Sequence, residues 1–265
     1  MNMPKIARHK LKNKLEYHYR AFNKSVSAPD PVEYPHKFSD STDIEIAAFI
    51  ASVFAYGTIA QIKFSLNKIF NITGDKPAEF VMDYKFQHGK KEFANIRHRF
   101  YKPNDIASLF LILNTVYKNY GSLKNLFLLY YLEEEQNLKN ALSNFSNNLK
   151  YIAHREQLYS NGIKFMFPDP QKGSACKRMN LFLRWMVRKD KIDFGLWKEI
   201  RKNQLIIPVD THIAKISRQL KLTKRKIISW KMAEDITNEL KLINPADPVK
   251  YDFSLCHIGI RKQKF

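Results

Sequence analysis

Apolar residues recur along the chain at the three-to-four-residue interval of an amphipathic helix, and nowhere in the sustained alternation of a half-buried strand. The first such segment, residues 5–26, sets Leu11, Leu15, Tyr19 and Phe22 on one face and Arg8, Lys10, Lys12, Lys14 and Arg20 on the others. A transit peptide would carry the same charge, but Glu16 and the core-like stripe favour a structural helix. The prolines of Pro29-Asp30-Pro31 then force a turn. Residues 44–56 are apolar nearly all round, the pattern of a helix buried on every side. Ser41-Thr42-Asp43 offers N-caps ahead of it, and Glu45, three residues after Thr42, completes a capping box. Gly57 interrupts the run, and residues 58–72 resume as a second helix with Ile59, Ile62, Leu66 and Ile69 on one face. The same reading predicts helices over 77–83, 103–119, 122–132, 138–149, 174–188, 211–220, 229–242 and 248–258. The expected fold class is all-α. Polar residues 144–150 and the turn-rich stretch 161–174 are the candidate boundaries, suggesting two helical lobes with a cleft between them.

Composition narrows the function classes. The chain has 265 residues, 45% of them hydrophobic, enough for a substantial core. Lys and Arg number 45 against 25 Asp and Glu, a net charge of +20. Such a field repels itself in a compact state and is of little use to an enzyme of small metabolites, so it points to a polyanion, nucleic acid before ribosome or anionic membrane. Cys176 and Cys256 are too few for a disulfide framework, a four-cysteine zinc site or an iron–sulfur cluster. Apolar runs such as 107–116 and 126–132 are too short to span a bilayer, and no secretory leader is expected. These features lead to the expectation of a soluble, intracellular protein with no membrane partner; the accompanying expectations are a monomer and a cytoplasmic location, nucleoid-associated when bound.

Candidate chemistry concentrates between Pro168 and Leu222. Pro168-Asp169-Pro170-Gln171-Lys172-Gly173-Ser174-Ala175-Cys176-Lys177 is a turn that delivers a lysine onto a new helix. The free N–H groups and positive dipole end of such a helix form a natural phosphate seat. Along that helix Lys177, Arg184 and Arg188 share a face with Asn180 and Leu181, while Met179, Phe182, Leu183 and Met186 face the core. A basic stripe beside an apolar one suits a helix lying on DNA, though on pattern alone an ordinary solvated face is the commoner meaning. Farther on, Val209-Asp210-Thr211-His212 opens another helix. Asp210 is its natural N-cap, worth about 1 kcal/mol; if Thr211 caps instead, the Asp210 carboxylate is left to face a groove. By residue type alone His212 is a packed or hydrogen-bonded structural histidine. No second ligand stands at metal spacing, so no metal and no cofactor is expected.

Val209-Asp210-Thr211-His212 resembles the Val-Asp-Thr-His signature of the helix-hairpin-helix DNA glycosylases of the endonuclease III type. Gly173 to Asn180 lies at the hairpin and lysine positions of that pattern, and Phe54-Ala55-Tyr56-Gly57-Thr58 resembles the segment that wedges into the duplex. Order and approximate spacing agree over roughly residues 43–260. More closely, Gly173 to Arg188, Asp193-Phe194-Gly195-Leu196-Trp197, Pro208 to His212 and Asp247 to Phe253 together resemble a bacterial family of uncharacterised proteins within this superfamily. Three departures stand out. The hairpin lacks its second glycine; Asp210 follows Lys177 by 33 residues, closer to archaeal 8-oxoguanine glycosylases than to endonuclease III; and the C-terminal cysteine cluster is missing.

The resemblance implies one glycosylase-like unit over 1–265: a lobe of roughly 43–150, a hairpin and catalytic segment of 151–222, and C-terminal helices 223–265. It implies excision of a flipped damaged base from double-stranded DNA, 8-oxoguanine by analogy of spacing. Lys177 would attack C1′ and form a Schiff base; Asp210 would take the proton and stabilise positive charge on the sugar. A nucleophilic amine must be neutral, a state that desolvation and the neighbouring Arg178, Arg184 and Lys172 would favour. Lys172, Gly173, Ser174, Arg178, Arg184, Arg188 and His212 are then expected at phosphates, and Tyr56 with Gly57 at the wedge. Tyr56 reads equally as a core tyrosine, and Trp185 and Trp197 better as core than as pocket. The alternative function is a non-catalytic DNA- or RNA-binding protein on the same fold; a ribosome-associated factor rests on charge alone.

Overall fold

The computed structural model describes residues 5–23 and 30–260, with the side chains of 5, 7 and 257–260 excepted. The chain runs through α1 (Lys5–Phe22), α2 (Ser41–Phe54), α3 (Ile59–Thr73), α4 (Pro77–Met82), α5 (Phe86–Glu92), α6 (Pro103–Tyr120), α7 (Leu123–Leu128), α8 (Lys139–Arg155), α9 (Asn161–Met166), α10 (Lys177–Val187), α11 (Thr211–Gln219), α12 (Trp230–Lys241) and α13 (Asp252–Ile260). Among the described residues there is no strand, only the isolated bridges His98–Tyr101 and Lys189–Phe194, so the protein is all-α. No helix of the described residues is long and apolar enough to cross a membrane. The end of the helix expected over 5–26, and Pro29 of the predicted turn, lie outside the described residues.

Two compact units divide the described residues: those within 5–23, 133–138 and 170–260 form one, those within 30–132 and 139–169 the other. The second is built around α2, whose residues from Ile44 to Phe54 are all buried, as an all-round apolar helix requires. Its N-terminus departs from the expected capping box. Asp40 caps it, the Oδ1 accepting from Thr42 N at 2.8 Å and Asp43 N at 3.1 Å. Glu45 is buried and turns inward, where Tyr117 Oη donates to it at 2.6 Å and Leu123 N at 2.9 Å. A carboxylate inside the core needs such donors. α3 does carry a reciprocal capping box, between Thr58 and Gln61.

The periodicity misses α5 and α9. α5 reads Phe-Gln-His-Gly-Lys-Lys-Glu, polar with a central glycine. Gly89 is there because a Cβ would collide with the ring and hydroxyl of Tyr84, whose Oη donates to Ala107 O at 2.9 Å. Two apolar runs also promise more than the helices use: α7 stops at Leu128, leaving Leu129 and Leu132 exposed, and α13 begins only at Asp252. Residues 144–150, a candidate boundary by polarity, lie inside α8.

The first unit holds α1, α10, α11, α12 and α13. Leu11, Leu15 and Phe22 are buried, and α1 packs on α13. Glu16 ties the two ends of the chain together, accepting from Tyr251 Oη at 2.6 Å and Lys250 Nζ at 2.9 Å. The stripe of α1 is therefore structural. Trp185 and Trp197 are fully buried, core residues both. α11 in turn lies against α13, which sets the start of α11 near the start of α10.

Candidate active site

Two helix starts meet in the first unit. α10 opens at Lys177 rather than at residue 174, because Cys176 sits in the left-handed region at φ 47° and ends the turn there. α11 opens at Thr211 with Asp210, not Thr211, as its N-cap. The Oδ1 of Asp210 accepts from the backbone N of His212 and of Ile213, both at 2.9 Å. Its Oδ2 faces Lys177 Nζ at 4.0 Å, ion-pair range and too long for a direct hydrogen bond. One oxygen caps the helix and the other is presented to the amine. The Lys177 and Asp210 side chains are 31% and 27% exposed, so both are reachable from solvent.

Behind this pair lies an acid that the sequence pattern does not single out. Asp252, at the start of α13, is buried and accepts from Arg184. Burial pushes its carboxyl up to about 6; Arg184 opposes that rise, Asp210 adds to it and Lys177 counters it. Asp252 thus feels the charges of Arg184, Asp210 and Lys177. The clue in sequence is faint: the periodicity places Asp252 inside a helix over 248–258, where a lone acidic residue is ordinary.

The arginines of α10 and its C-cap Arg188 do not form the expected phosphate-facing stripe. Arg178, Arg184 and Arg188 are 7%, 2% and 3% exposed. Arg184 donates to Asp193 through Nη2 at 3.0 Å, and Arg188 to Asp247 through Nε at 2.8 Å and to Asp190 through Nη1 at 3.0 Å, with Asp193 shared between the two guanidiniums. Tyr19 Oη adds a donor to Asp190 at 3.0 Å. The insertion between α10 and α11 folds back onto the end of α10, Phe194 N reaching Trp185 O at 2.8 Å, and so brings Asp190 and Asp193 onto the basic face. The Arg184 and Arg188 guanidiniums thus face carboxylates inside the unit rather than solvent.

Lys172 and Gly173 are exposed and Ser174 is half-buried, so this turn does reach the surface. Gly173 has φ 85°, and a Cβ there would meet nothing within 4 Å, which makes its need for glycine conformational rather than steric. His212 is exposed, against the packed position expected from its residue type. Among the described residues no group of His, Cys, Asp and Glu is arranged to hold a metal ion.

The second unit carries its own cluster. Gly57 adopts φ 117°, and a Cβ there would approach Arg99 Cδ to 2.9 Å. Tyr56 is half-buried: the Arg99 guanidinium lies 4.6 Å from its ring centre, with the Phe165 ring at 5.1 Å and the Phe100 ring, nearly parallel, at 5.9 Å. Phe100, 59% exposed, is the ring of this cluster most open to solvent. The turn that displays it is held by the His98–Tyr101 bridge, by His98 Nε2 bonded to Tyr56 O at 2.8 Å, and by Tyr101 Oη donating to Val53 O at 3.1 Å. Arg99 keeps φ 52°, an unusual state for a side-chain-bearing residue. Arg97-His98-Arg99-Phe100 carries this signal in sequence, cations interleaved with an aromatic, but lies outside the segment resembling the wedge.

Compared with known proteins, residues 30–261 match one family, described as "Protein of unknown function (DUF2400)". No curated protein and no solved structure matches the chain.

Proposed function

The chain belongs to the DUF2400 family of proteins of unknown function, and we propose that it is a DNA glycosylase with lyase action, using Lys177 as nucleophile and Asp210 to handle charge. One observation carries this reading: an amine and a carboxylate 33 residues apart in sequence stand 4.0 Å apart, both partly open to solvent. In the proposed step the Lys177 amine bonds to C1′ of a flipped nucleotide as the C1′–N bond breaks and the base leaves with the electron pair. The amine's proton passes to Asp210, whose ionised form also favours the cationic sugar. Ring opening gives a protonated Schiff base; loss of a C2′ proton then expels the 3′ phosphate, and water releases the enzyme. A flipped base also demands a filled gap, and the Phe100 ring is a better-exposed candidate than Tyr56. The two-lobed arrangement and the hairpin-and-lysine element at Gly173 to Asn180 are part of this proposal.

The test is reductive trapping on a duplex containing an abasic site. Wild type is expected to give a borohydride-stable adduct and Lys177→Ala none; an undiminished adduct in the variant overturns the assignment. A second reading, a binder without catalysis, draws on Asp210 serving as an ordinary cap. Asp210→Asn separates the two, since asparagine caps as well as aspartate but carries no charge. The enzyme reading expects a rate lowered about 10²-fold or more; the binder reading expects unchanged affinity and no adduct from either protein.

A further inference from the structure

The loop 222–229 joins α11 to α12 within the first unit, and neither its residues nor its position enters the proposed chemistry. Its ends are anchored: Leu222 and Trp230 are buried, and Leu222 N donates to Ser217 O at 2.8 Å. Thr223 Oγ1 accepts from Arg225 N at 3.2 Å, and Arg225 Nε donates to Asp235 Oδ2 at 2.7 Å, so Arg225 is turned back toward α12. Ser229 caps α12 through Met232 N at 3.3 Å. Trp230 N donates to Gly173 O at 3.0 Å, which stitches the loop to the turn ahead of Lys177.

What this framework displays is unusual. Lys224 and Lys226 are exposed and make no ion pair among the described residues, while Ile227 beside them is 79% exposed. A loop held at so many points, yet offering an isoleucine and two lysines to water, is arranged for something outside the unit. From this geometry we infer that loop 222–229 is a second grip on duplex DNA: Lys224 and Lys226 take backbone phosphates and Ile227 covers the apolar edge of the sugars. Charge complementarity selects the occupant. The chain carries +20, the loop abuts the exposed Lys172-Gly173 turn, and a polyanion is the partner both would share. Ile227 and its neighbour Ile228, 38% exposed, together make too small an apolar face to hold a membrane. The inference rests on the duplex-binding part of the proposed function and not on the chemistry of Lys177.

The experiment measures affinity of the full chain for a labelled duplex, with and without a tetrahydrofuran abasic-site analogue, across a range of salt. Lys224→Gln/Lys226→Gln is expected to lower the slope of log affinity against log salt by about 2, equally for both duplexes. Ile227→Ser should weaken binding several-fold without changing that slope. All three positions are exposed, so the melting temperature should hold. If wild type binds and the double variant keeps its slope, the grip is overturned while the nucleic-acid reading stands. If wild type binds no duplex, both fall. Should the double variant lose only its sedimentation with phosphatidylserine vesicles, the partner is a membrane and the inference is wrong. Lys177→Ala run alongside keeps the chemistry separate: its trapping can fail while the loop result is unaffected.

Discussion

Among single residues, the same side-chain type takes opposite roles according to what surrounds it. Lys177 keeps a path to solvent; Arg184 and Arg188, two and three turns farther along, are sealed among Asp190, Asp193, Asp247 and Asp252. Removing one member of such a buried set strands its partners' charge. Arg188→Ala is therefore expected to cost about 3–5 kcal/mol in urea unfolding, and a variant that folds normally but binds DNA weakly would contradict this. Asp252 sets a pH signature. Its carboxyl is raised from 3.8 to about 6, so the fold favours the neutral acid and its contribution to stability is lost as pH climbs through that interval. Asp252→Asn, neutral throughout, should gain in melting temperature relative to wild type between pH of roughly 4 and 6. A difference that stays flat across this range would show that Asp252 does not titrate there. Two large rings differ in the same way: Phe100→Ala is expected to weaken binding to an abasic duplex by about 1–3 kcal/mol, and Tyr56→Phe to leave it unchanged, as measured by fluorescence titration.

Among the helices, caps decide where each begins, and the start points decide the site. α10 starts three residues later than periodicity suggests, which puts Lys177 at its first position; α11 starts after Asp210, which fixes that carboxylate through two backbone donors. The cap of α2 gives a direct check. Asp40→Ala should lose about 1 kcal/mol in thermal or urea unfolding, whereas Thr42→Ala, at a position the sequence pattern favours as cap, should lose little. Equal losses would restore the capping box. The arithmetic of periodicity located most helices because their apolar stripes are long; it passed over α5 and α9 because short helices with glycine at close approaches, such as Gly89 on Tyr84, leave no stripe to detect.

Across the molecule, the net charge of +20 supports the proposed nucleic-acid partner, and on that proposal affinity for duplex DNA should fall steeply between low and physiological salt. Its distribution is another matter, since part of the basic composition is consumed internally by the carboxylates around α10. The linear pattern alone predicts an all-α fold, an α2 buried on all sides and a core place for Trp185 and Trp197, whereas Lys177 and Asp210 pair as candidates only through the resemblance of their segments to a known signature. These follow from local periodicity and from residue types in a recognisable order. Folding was needed to put Lys177 and Asp210 4.0 Å apart, to set Asp252 electrostatically behind them, and to make Arg178, Arg184 and Arg188 interior. The cause is separation along the chain: charges from α10, the following insertion and α13 neutralise one another only after folding brings them together, and no pattern within one segment records its distant partners.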